Sequence, residues 1–149
     1  MAASFDQIGQ QFVQTYYTTF DTNRPALSTL YVCSFLSFFF SLTQYFSRFV
    51  LFHPISKPQQ PQSMLTMGNK QHVGPQAVLE CLQALGGKTS HQVEALDCQP
   101  TARGGVLVVV TGKISIDDAP PMNFNQTFQL FPVGSGYCIL NDIFSLNLS

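Results

Sequence analysis

The sequence predicts an α+β domain, in which N-terminal helices pack against an antiparallel sheet. Two observations support this class. Apolar residues recur at three- and four-residue spacing near the N-terminus, which is typical of a helix, and the period falls to two in the last third of the chain, which is typical of strands. With 149 residues, 45% of them apolar, the chain has the size and composition of a single domain.

The charge of the chain disfavours nucleic acid as a partner. The net charge is −1 and only 10% of the residues are charged, so the chain creates no basic field. The first residues lack the basic stretch and apolar core of a signal peptide, and the expected compartment is therefore the cytoplasm or nucleus. The sequence contains no phosphate-binding glycine motif and no metal-ligand spacing, so we expect no cofactor and no metal.

Two helices are predicted before residue 32. The first begins after Ser4, a favourable N-cap, and runs for about four turns. Its apolar face consists of Phe5, Ile8, Phe12, Tyr16 and Phe20. A shorter helix is expected over residues 24–31, because Pro25 fits a first helical turn, where its missing N–H costs nothing.

The remaining elements are predicted after residue 62. Residues 63–67 form a short strand, and Gly74-Pro75 begins a helix that ends at Gly86-Gly87. The apolar face of this helix is formed by Val78, Leu79, Leu82 and Leu85. Strands follow over residues 91–98, 106–116, 123–133 and 137–148, separated by turn residues.

Several short motifs occur in the order seen in the nuclear transport factor 2 family, which this chain therefore resembles. The resemblance extends over nearly the whole chain except residues 32–59. The motifs are Phe5-Asp-Gln-Ile-Gly9, Tyr16-Tyr17 with Phe20-Asp21, Leu65-Thr66, Gly74 with Ala77-Val-Leu-Glu-Cys-Leu82, His91, Asp97-Cys-Gln-Pro100, Phe124 with Phe128, and Asn141-Asp-Ile-Phe144-Ser-Leu146.

The resemblance implies a cone-shaped fold, in which N-terminal helices pack on a strongly bent antiparallel sheet that leaves a cavity at its wide end. It also implies a homodimer formed sheet to sheet. Members of this type are not enzymes. They bind the GDP form of the GTPase Ran and the Phe-rich repeats of nucleoporins, and they carry Ran through the nuclear pore, between cytoplasm and nucleus.

The resemblance further implies a Ran-binding site made of Asp117, Asp118, His91 and Asp21. In the family, acidic residues at the cavity rim receive basic residues of Ran, and charges paired in a partly desolvated cleft couple strongly. Asp117 matches one of the family's binding acids, and Asp118 follows it in the same predicted hairpin. Asp is also favoured in turns for backbone reasons alone, which is the alternative explanation for this pair.

Two acids of the family pattern are replaced in this sequence. They fall on Ala119 and Gly68, and Met67 takes the place of an aromatic residue. We therefore expect weaker binding of Ran-GDP than is typical of the family. The nucleoporin-repeat site is expected at Phe5, which occupies the place of a family aromatic residue, although a Phe at this point also serves as a hydrophobic staple in many helices.

His91 and Asp21 allow a second hypothesis, a small-molecule isomerase or dehydratase, because some proteins with the cone fold use Asp and His as acid and base. Contact between the two side chains would shift the pKa of each. Structural pairing is the preferred interpretation, since no nucleophile, metal cluster or second base accompanies them in the sequence. His72 is placed in a loop, and His53 lies in the segment that the family lacks.

The sequence between residues 30 and 52 contains seven of the chain's 14 Phe residues and is followed by a Pro- and Gln-rich linker. Residues 30–47 give 18 uncharged positions, near the ~20 needed to cross a bilayer, so a membrane-tethered interaction module is one hypothesis. A folded addition would expose a large apolar patch. The preferred interpretation is a single domain over residues 1–149, interrupted at 32–59 by an in-frame retained intron, because Val codons begin with GT and Gln can be CAG.

Overall fold

The computed structural model describes residues 4–31 and 62–147. Within these ranges it contains two α-helices, a longer and a shorter 3₁₀ helix, and six strands. In chain order they are α1 (Phe5–Thr22), the 3₁₀ helix Arg24–Tyr31, β1 (Met64–Met67), β2 (Lys70–Val73), α2 (Pro75–Gln83), β3 (Thr89–Pro100), the short 3₁₀ turn Ala102–Gly104, β4 (Val106–Ile116), β5 (Met122–Val133) and β6 (Gly136–Asn147).

Helix α1 begins as the sequence predicts. Ser4 Oγ accepts a hydrogen bond from Gln7 N at 3.2 Å, and Gln7 Oε1 accepts one from Ser4 N at 3.1 Å. This reciprocal capping box satisfies two backbone donors at the helix start. The buried face of α1 is formed by Val13, Tyr16, Tyr17 and Phe20, whereas Phe5 is 37% exposed.

The second predicted helix is confirmed over residues 24–31, but it winds as a 3₁₀ helix. Ser28 Oγ donates to Pro25 O at 3.1 Å, and Thr29 Oγ1 donates to Ala26 O at 2.8 Å. Each hydroxyl bonds to the carbonyl three residues earlier, which matches the tighter geometry of a 3₁₀ helix. Such side-chain bonds compete with the backbone hydrogen bonds to the fourth preceding residue that an α-helix would form.

The six strands form one mixed sheet in the order β2-β1-β6-β5-β4-β3. Strands β3 to β6 pair antiparallel with their neighbours, as the alternating pattern predicts, while β1 pairs parallel with β6. The register shifts between Val93 and Ala95, and again between Gln129 and Leu130. Irregularities of this kind bend a strand and increase its twist, so the sheet curves around α1.

Strand β2 was not predicted, and the placement of His72 in a loop is wrong, since His72 lies in this strand. β2 pairs with β1 through a two-residue turn in which Gly68 and Asn69 both have positive φ, 57° and 63°. Such a turn joins antiparallel strands without disturbing their twist. The sequence of β2, Lys-Gln-His-Val, shows neither alternation nor β-branched enrichment, and the strand is mostly exposed.

The main core lies between α1 and the concave face of the sheet. The strands contribute Val108 and Val110 from β4 and Phe124 and Phe128 from β5, all nearly inaccessible to solvent. Gly9 brings α1 close to β3, because a Cβ atom at this position would overlap Cys98 Sγ. Helix α2 packs against the Arg24–Tyr31 helix and buries Val78 and Leu82.

Candidate functional site

Four parts of the chain meet near the C-terminal end of α1. They are the last turn of α1, the loop after α2, the start of β3 and the turn between β4 and β5. Asp21 in α1 is the point at which α1 and β3 are joined. Its Oδ1 accepts a hydrogen bond from Thr89 Oγ1 at 2.8 Å, and its Oδ2 accepts one from His91 N at 2.9 Å.

His91 Nδ1 lies 2.7 Å from Asp21 Oδ1, so the two residues singled out in the sequence are in contact. The His91 side chain is 1% exposed. Its ring packs against Tyr17, Phe20 and Phe124, at centroid distances of 4.7, 4.8 and 5.5 Å. Burial lowers the pKa of His91, while Asp21 opposes this shift. The neutral ring therefore donates its Nδ1 hydrogen to Asp21.

The surroundings of His91 do not favour acid–base chemistry. Nε2 is buried and has no hydrogen-bond partner among the described residues. A general base must reach the proton that it removes, directly or through one water, but here three aromatic rings pack around the imidazole. An open cleft of about 360 Å³ nearby is lined by Phe20, Asp21, Arg24 and Gly86, but not by His91. The geometry fits a structural pair.

Asp117 lies in the turn after β4, with a left-handed backbone of φ 52°. Two hydrogen bonds tie it to Lys88: its Oδ1 accepts from Lys88 N at 2.8 Å, and its own N–H donates to Lys88 O at 2.7 Å. Its Oδ2 makes no hydrogen bond within the described parts of the chain and stays available for a partner. Asp118 is exposed in the same turn. Turn chemistry and an accessible carboxylate therefore coexist at Asp117.

Arg24 connects the end of α2, the loop after it and the start of β3, although no sequence pattern singles it out. Its guanidinium donates to three carbonyls in the last turn of α2 and the loop after it: Nη1 reaches Leu82 O at 3.3 Å and Gly86 O at 3.1 Å, and Nη2 reaches Gly87 O at 3.2 Å. Nη2 also donates to Thr89 Oγ1 at 3.1 Å. Because most of its partners are backbone atoms about 60 residues away, no residue pattern could have indicated these contacts.

The two positions that lack family acids lie in turns. Gly68 belongs to the β1–β2 turn and Ala119 follows Asp118 after β4, and both are exposed. Met67 contacts Cys81 of α2, with its Sδ 3.9 Å from Cys81 Sγ. At these turns the chain presents no carboxylate in place of the missing ones.

A second polar cluster is fully buried between the sheet and the first two helices. Tyr16 and Asp142 belong to motifs of the resemblance, but no sequence pattern indicates that they meet. Asp142 of β6 accepts hydrogen bonds from Tyr31 OH at 2.6 Å and from Gln126 Nε2 at 2.9 Å. Tyr16 OH lies 3.0 Å from Tyr31 OH. Burial raises the pKa of Asp142 to about 7, and these hydrogen bonds limit the rise. The cluster joins α1, the Arg24–Tyr31 helix, β5 and β6.

The hypotheses about the Phe-rich run concern residues 30–52, most of which lie outside the described residues, and the proposed insertion at 32–59 lies wholly outside them. Among the residues that are described, no helix has the length and apolar character required to cross a membrane. In the same part of the chain, no group of His, Cys, Asp and Glu is arranged to hold a metal ion.

Comparison with known proteins identifies the fold. The family model described as the nuclear transport factor 2 (NTF2) domain matches residues 8–146. Nuclear transport factor 2 of Emericella nidulans is 39% identical over 148 residues, which cover 97% of this chain and 96% of the relative. The structure of nuclear transport factor 2 from Cryptosporidium parvum has a TM-score of 0.74 at 39% identity, covering 96% of this chain and 94% of that one.

The fold also occurs in proteins with other names. The structure of a putative scytalone dehydratase from Novosphingobium aromaticivorans has a TM-score of 0.67 at 12% identity, covering 96% of this chain and 84% of that one, a likeness that concerns the fold alone. Relatives at 39% and 34% identity are named as transport factors, which points away from an enzyme. The match over residues 8–146 and the full-length likeness to transport factors lead to one conclusion: the chain belongs to the nuclear transport factor 2 family.

Proposed function

We propose that this protein is a nuclear transport factor that binds Ran-GDP at a rim of Asp21, Asp117 and Asp118, in which the buried His91 holds Asp21 and does not itself contact the partner. One observation carries the proposal: Asp21 and Asp117 are fixed to adjacent residues of a single segment, at Thr89 and Lys88. The relatives named nuclear transport factor 2 support a role in nuclear transport. Cytoplasm and nucleus are accordingly the proposed compartments.

The chemistry of the rim suits a basic protein surface. Asp117 and Asp118 are both exposed, and only Oδ1 of Asp117 accepts a hydrogen bond within the described residues, so both acids can meet cations of a partner without losing contacts inside the fold. Asp21 is partly exposed, with 22% of its side chain accessible, and its hydrogen bonds keep the carboxylate oriented. Charges that are already oriented lose little freedom when they pair, which improves complementarity.

Calorimetry with purified Ran-GDP tests the proposal. We expect measurable binding by the unmodified chain, weaker than that of relatives with acids at the positions of Gly68 and Ala119. Asp117→Asn should reduce the affinity roughly tenfold, which corresponds to ~1.4 kcal/mol. Glu80→Gln is the matched control, because it removes an exposed acid from α2 outside the rim. Full family-level affinity, or equal loss in both variants, would contradict the proposed rim.

The proposed second partner is a nucleoporin segment with Phe-rich repeats, bound at Phe5. Phe5 is the first residue of α1 and is 37% exposed, so its ring is accessible at the surface while the capping box on either side of it holds the helix start. An exposed aromatic ring on a rigid element is a favourable anchor for another apolar ring.

The proposed assembly is a homodimer formed by the convex face of the sheet. A row of outward residues crosses five strands, through the pairs Asp97↔Val109, Val109↔Thr127, Thr127↔Ile143 and Thr66↔Ile143. Ile143 is 52% exposed in this row, the highest value for a large apolar side chain in the described residues. A second copy would cover this face.

A further inference from the structure

Arg24 acts on two of the three acids of the proposed rim, Asp21 and Asp117, without belonging to the rim. Its guanidinium spans the loop after α2 and the start of β3, and it lies over the Phe20 ring at 4.9 Å. Helix α2 has no basic residue in its own last turn, so Arg24 supplies the positive charge at that end. A planar fork can hold several carbonyls at once, which a lysine ammonium cannot do in the same geometry.

The first connection runs from Arg24 to Asp117. Gly86 and Gly87 both have positive φ, 60° and 57°, and both direct their carbonyls to the guanidinium. A Cβ at Gly87 would lie 2.5 Å from Asp117 Oδ2, so the loop backbone packs directly on the carboxylate. Lys88, the next residue, holds Asp117 through two hydrogen bonds. The loop that Arg24 holds is therefore the support of Asp117.

The second connection runs from Arg24 to Asp21. Thr89 Oγ1 accepts from Arg24 Nη2 and donates to Asp21 Oδ1, and the Thr89 residue is 2% exposed. The Thr89 hydroxyl has only one hydrogen. Because its oxygen accepts a hydrogen bond from Arg24, that hydrogen points toward Asp21. Asp21 in turn accepts from the backbone and the ring of His91.

We propose that Arg24 is a positioning residue, which fixes Asp117 through the Gly86–Lys88 loop and Asp21 through Thr89. This inference deepens the proposed Ran-GDP site and, where binding is concerned, rests on it. If Arg24 only capped α2, its substitution would lower the stability of the protein and do no more. If Arg24 is a positioning residue, its substitution must also make the side chains of Asp117 and Asp21 less ordered and weaken their contribution to binding of a partner.

The test begins without any partner, using Arg24→Lys, which keeps the charge and removes the fork. Amide hydrogen exchange of Lys88 should become roughly tenfold faster, while exchange of Val108, in the centre of the sheet, should change far less. Lys113→Gln is the matched control, because Lys113 is a half-exposed cation that pairs with Glu94 at 3.0 Å on the surface. Unchanged exchange of Lys88 relative to Val108 would overturn the proposal.

Thr89→Val separates the two connections and serves also if Arg24→Lys does not fold. It removes the hydroxyl while the carbonyl contacts of Arg24 remain. We expect faster exchange of the His91 amide, which donates to Asp21, and little change at Lys88. Equal exchange of His91 in both proteins would contradict the second connection.

Binding provides the last measurement. In a double-mutant cycle with Ran-GDP, Asp117→Asn should weaken binding by the unmodified chain roughly tenfold, and by less than about threefold when Arg24 is already Lys. If Asp117→Asn weakens binding by the same factor in both backgrounds, the positioning role of Arg24 is overturned. If the unmodified chain does not bind Ran-GDP, the proposed function fails, and the exchange measurements alone decide whether Arg24 positions the two acids.

Discussion

Arg24 and Asp142 show two ways in which a single residue can carry charge inside this fold. Arg24 shares its charge among several carbonyls and stays partly accessible to solvent. Asp142 is fully buried, and its hydrogen-bond partners among the described residues, Tyr16, Tyr31 and Gln126, are all neutral. With no cation close to it among the described residues, burial raises the pKa of the carboxyl group to about 7.

The raised pKa of Asp142 predicts a dependence of stability on pH. The folded state holds the proton more tightly than the unfolded state, in which the carboxyl has its ordinary pKa near 3.8. The stabilising contribution is therefore fully present below that ordinary pKa and is lost as the pH rises through about 7. A tenfold difference in proton affinity corresponds to about 1.4 kcal/mol, so we expect the loss to be on the order of a few kcal/mol.

Asp142→Asn tests this expectation, because it removes the titration from the cluster. Urea unfolding between pH 5 and 8 should give a smaller decline of the free energy of unfolding for the variant than for the unmodified chain. His91 has the opposite sign, since its lowered pKa costs stability as the pH falls. Comparison of the two proteins cancels that effect, and Glu80→Gln is the exposed control. Parallel curves for all three proteins would disprove the role of Asp142.

At the scale of elements, the predicted structure is confirmed wherever an element has one buried face. Strand β4, from Val106 to Ile116, alternates buried and partly buried positions along most of its length, and its bounds agree with the prediction. Strand β2 escaped prediction because an exposed edge strand needs no apolar alternation. Burial of Asp142 escaped it too, because an acid in an alternating strand is expected on the solvent side.

Part of the candidate site could be predicted from the sequence, and the part that could not be predicted depends on backbone contacts. The identities of Asp21, His91 and Asp117 could be taken from motifs, and the structure brings Asp21 and His91 into contact. Their roles in binding stay predictions. Arg24 could not be found, because the carbonyls of Leu82, Gly86 and Gly87 would be present with almost any residue at those positions.

The N-terminus of α1 allows a test of the nucleoporin-repeat site with two neighbouring substitutions. Phe5→Ala should weaken binding of a Phe-Gly repeat peptide roughly tenfold, or ~1.4 kcal/mol, because it removes an exposed ring. Ser4→Ala should leave that affinity nearly unchanged but cost about 1 kcal/mol of stability, because it removes the side chain that caps the helix. Fluorescence anisotropy and thermal unfolding measure the two effects.

The Phe5 assignment depends on the contrast between the two variants. Equal repeat binding by Phe5→Ala and the unmodified chain would remove Phe5 from the site. A loss of affinity in Ser4→Ala as large as in Phe5→Ala would assign the effect to the helix start in general.

At the scale of the whole molecule, the residues on either side of the segment 32–62, Tyr31 and Ser63, are in contact inside the fold. Ser63 Oγ, 1% exposed as a residue, donates to Tyr31 O at 2.5 Å and lies 2.6 Å from Ile139 O. The chain therefore leaves the described structure and re-enters it at the same place. Residues 60–62 can reach roughly 10 Å, which is enough to join Tyr31 to Ser63. We propose that the domain is complete without residues 32–59.

Deletion of residues 32–59 should give a protein that folds cooperatively and keeps its proposed partners. The shorter connection lowers the entropy cost of loop closure by roughly 2 kcal/mol, since each doubling of loop length costs about 0.6 kcal/mol. Circular dichroism, urea unfolding and sedimentation should show an unchanged fold, equal or higher stability, and the proposed dimer.

An unfolded deletion variant would show that the segment belongs to the domain. The proposed genetic origin is tested separately: spliced transcripts that all contain the segment would refute a retained intron.

The position of β6 in the sheet has a consequence for synthesis of the protein on the ribosome. β6 lies between β1 and β5 in space, yet it is the last of the described strands to be translated. Met64–Met67 can pair with its parallel partner only after residues 141–144 have left the exit tunnel. Until then the β1–β2 hairpin has no neighbouring strand, and a two-stranded hairpin is only marginally stable. A polypeptide released before β6 is made would lack the strand that joins the two halves of the sheet, and it would be a substrate for chaperones and proteases.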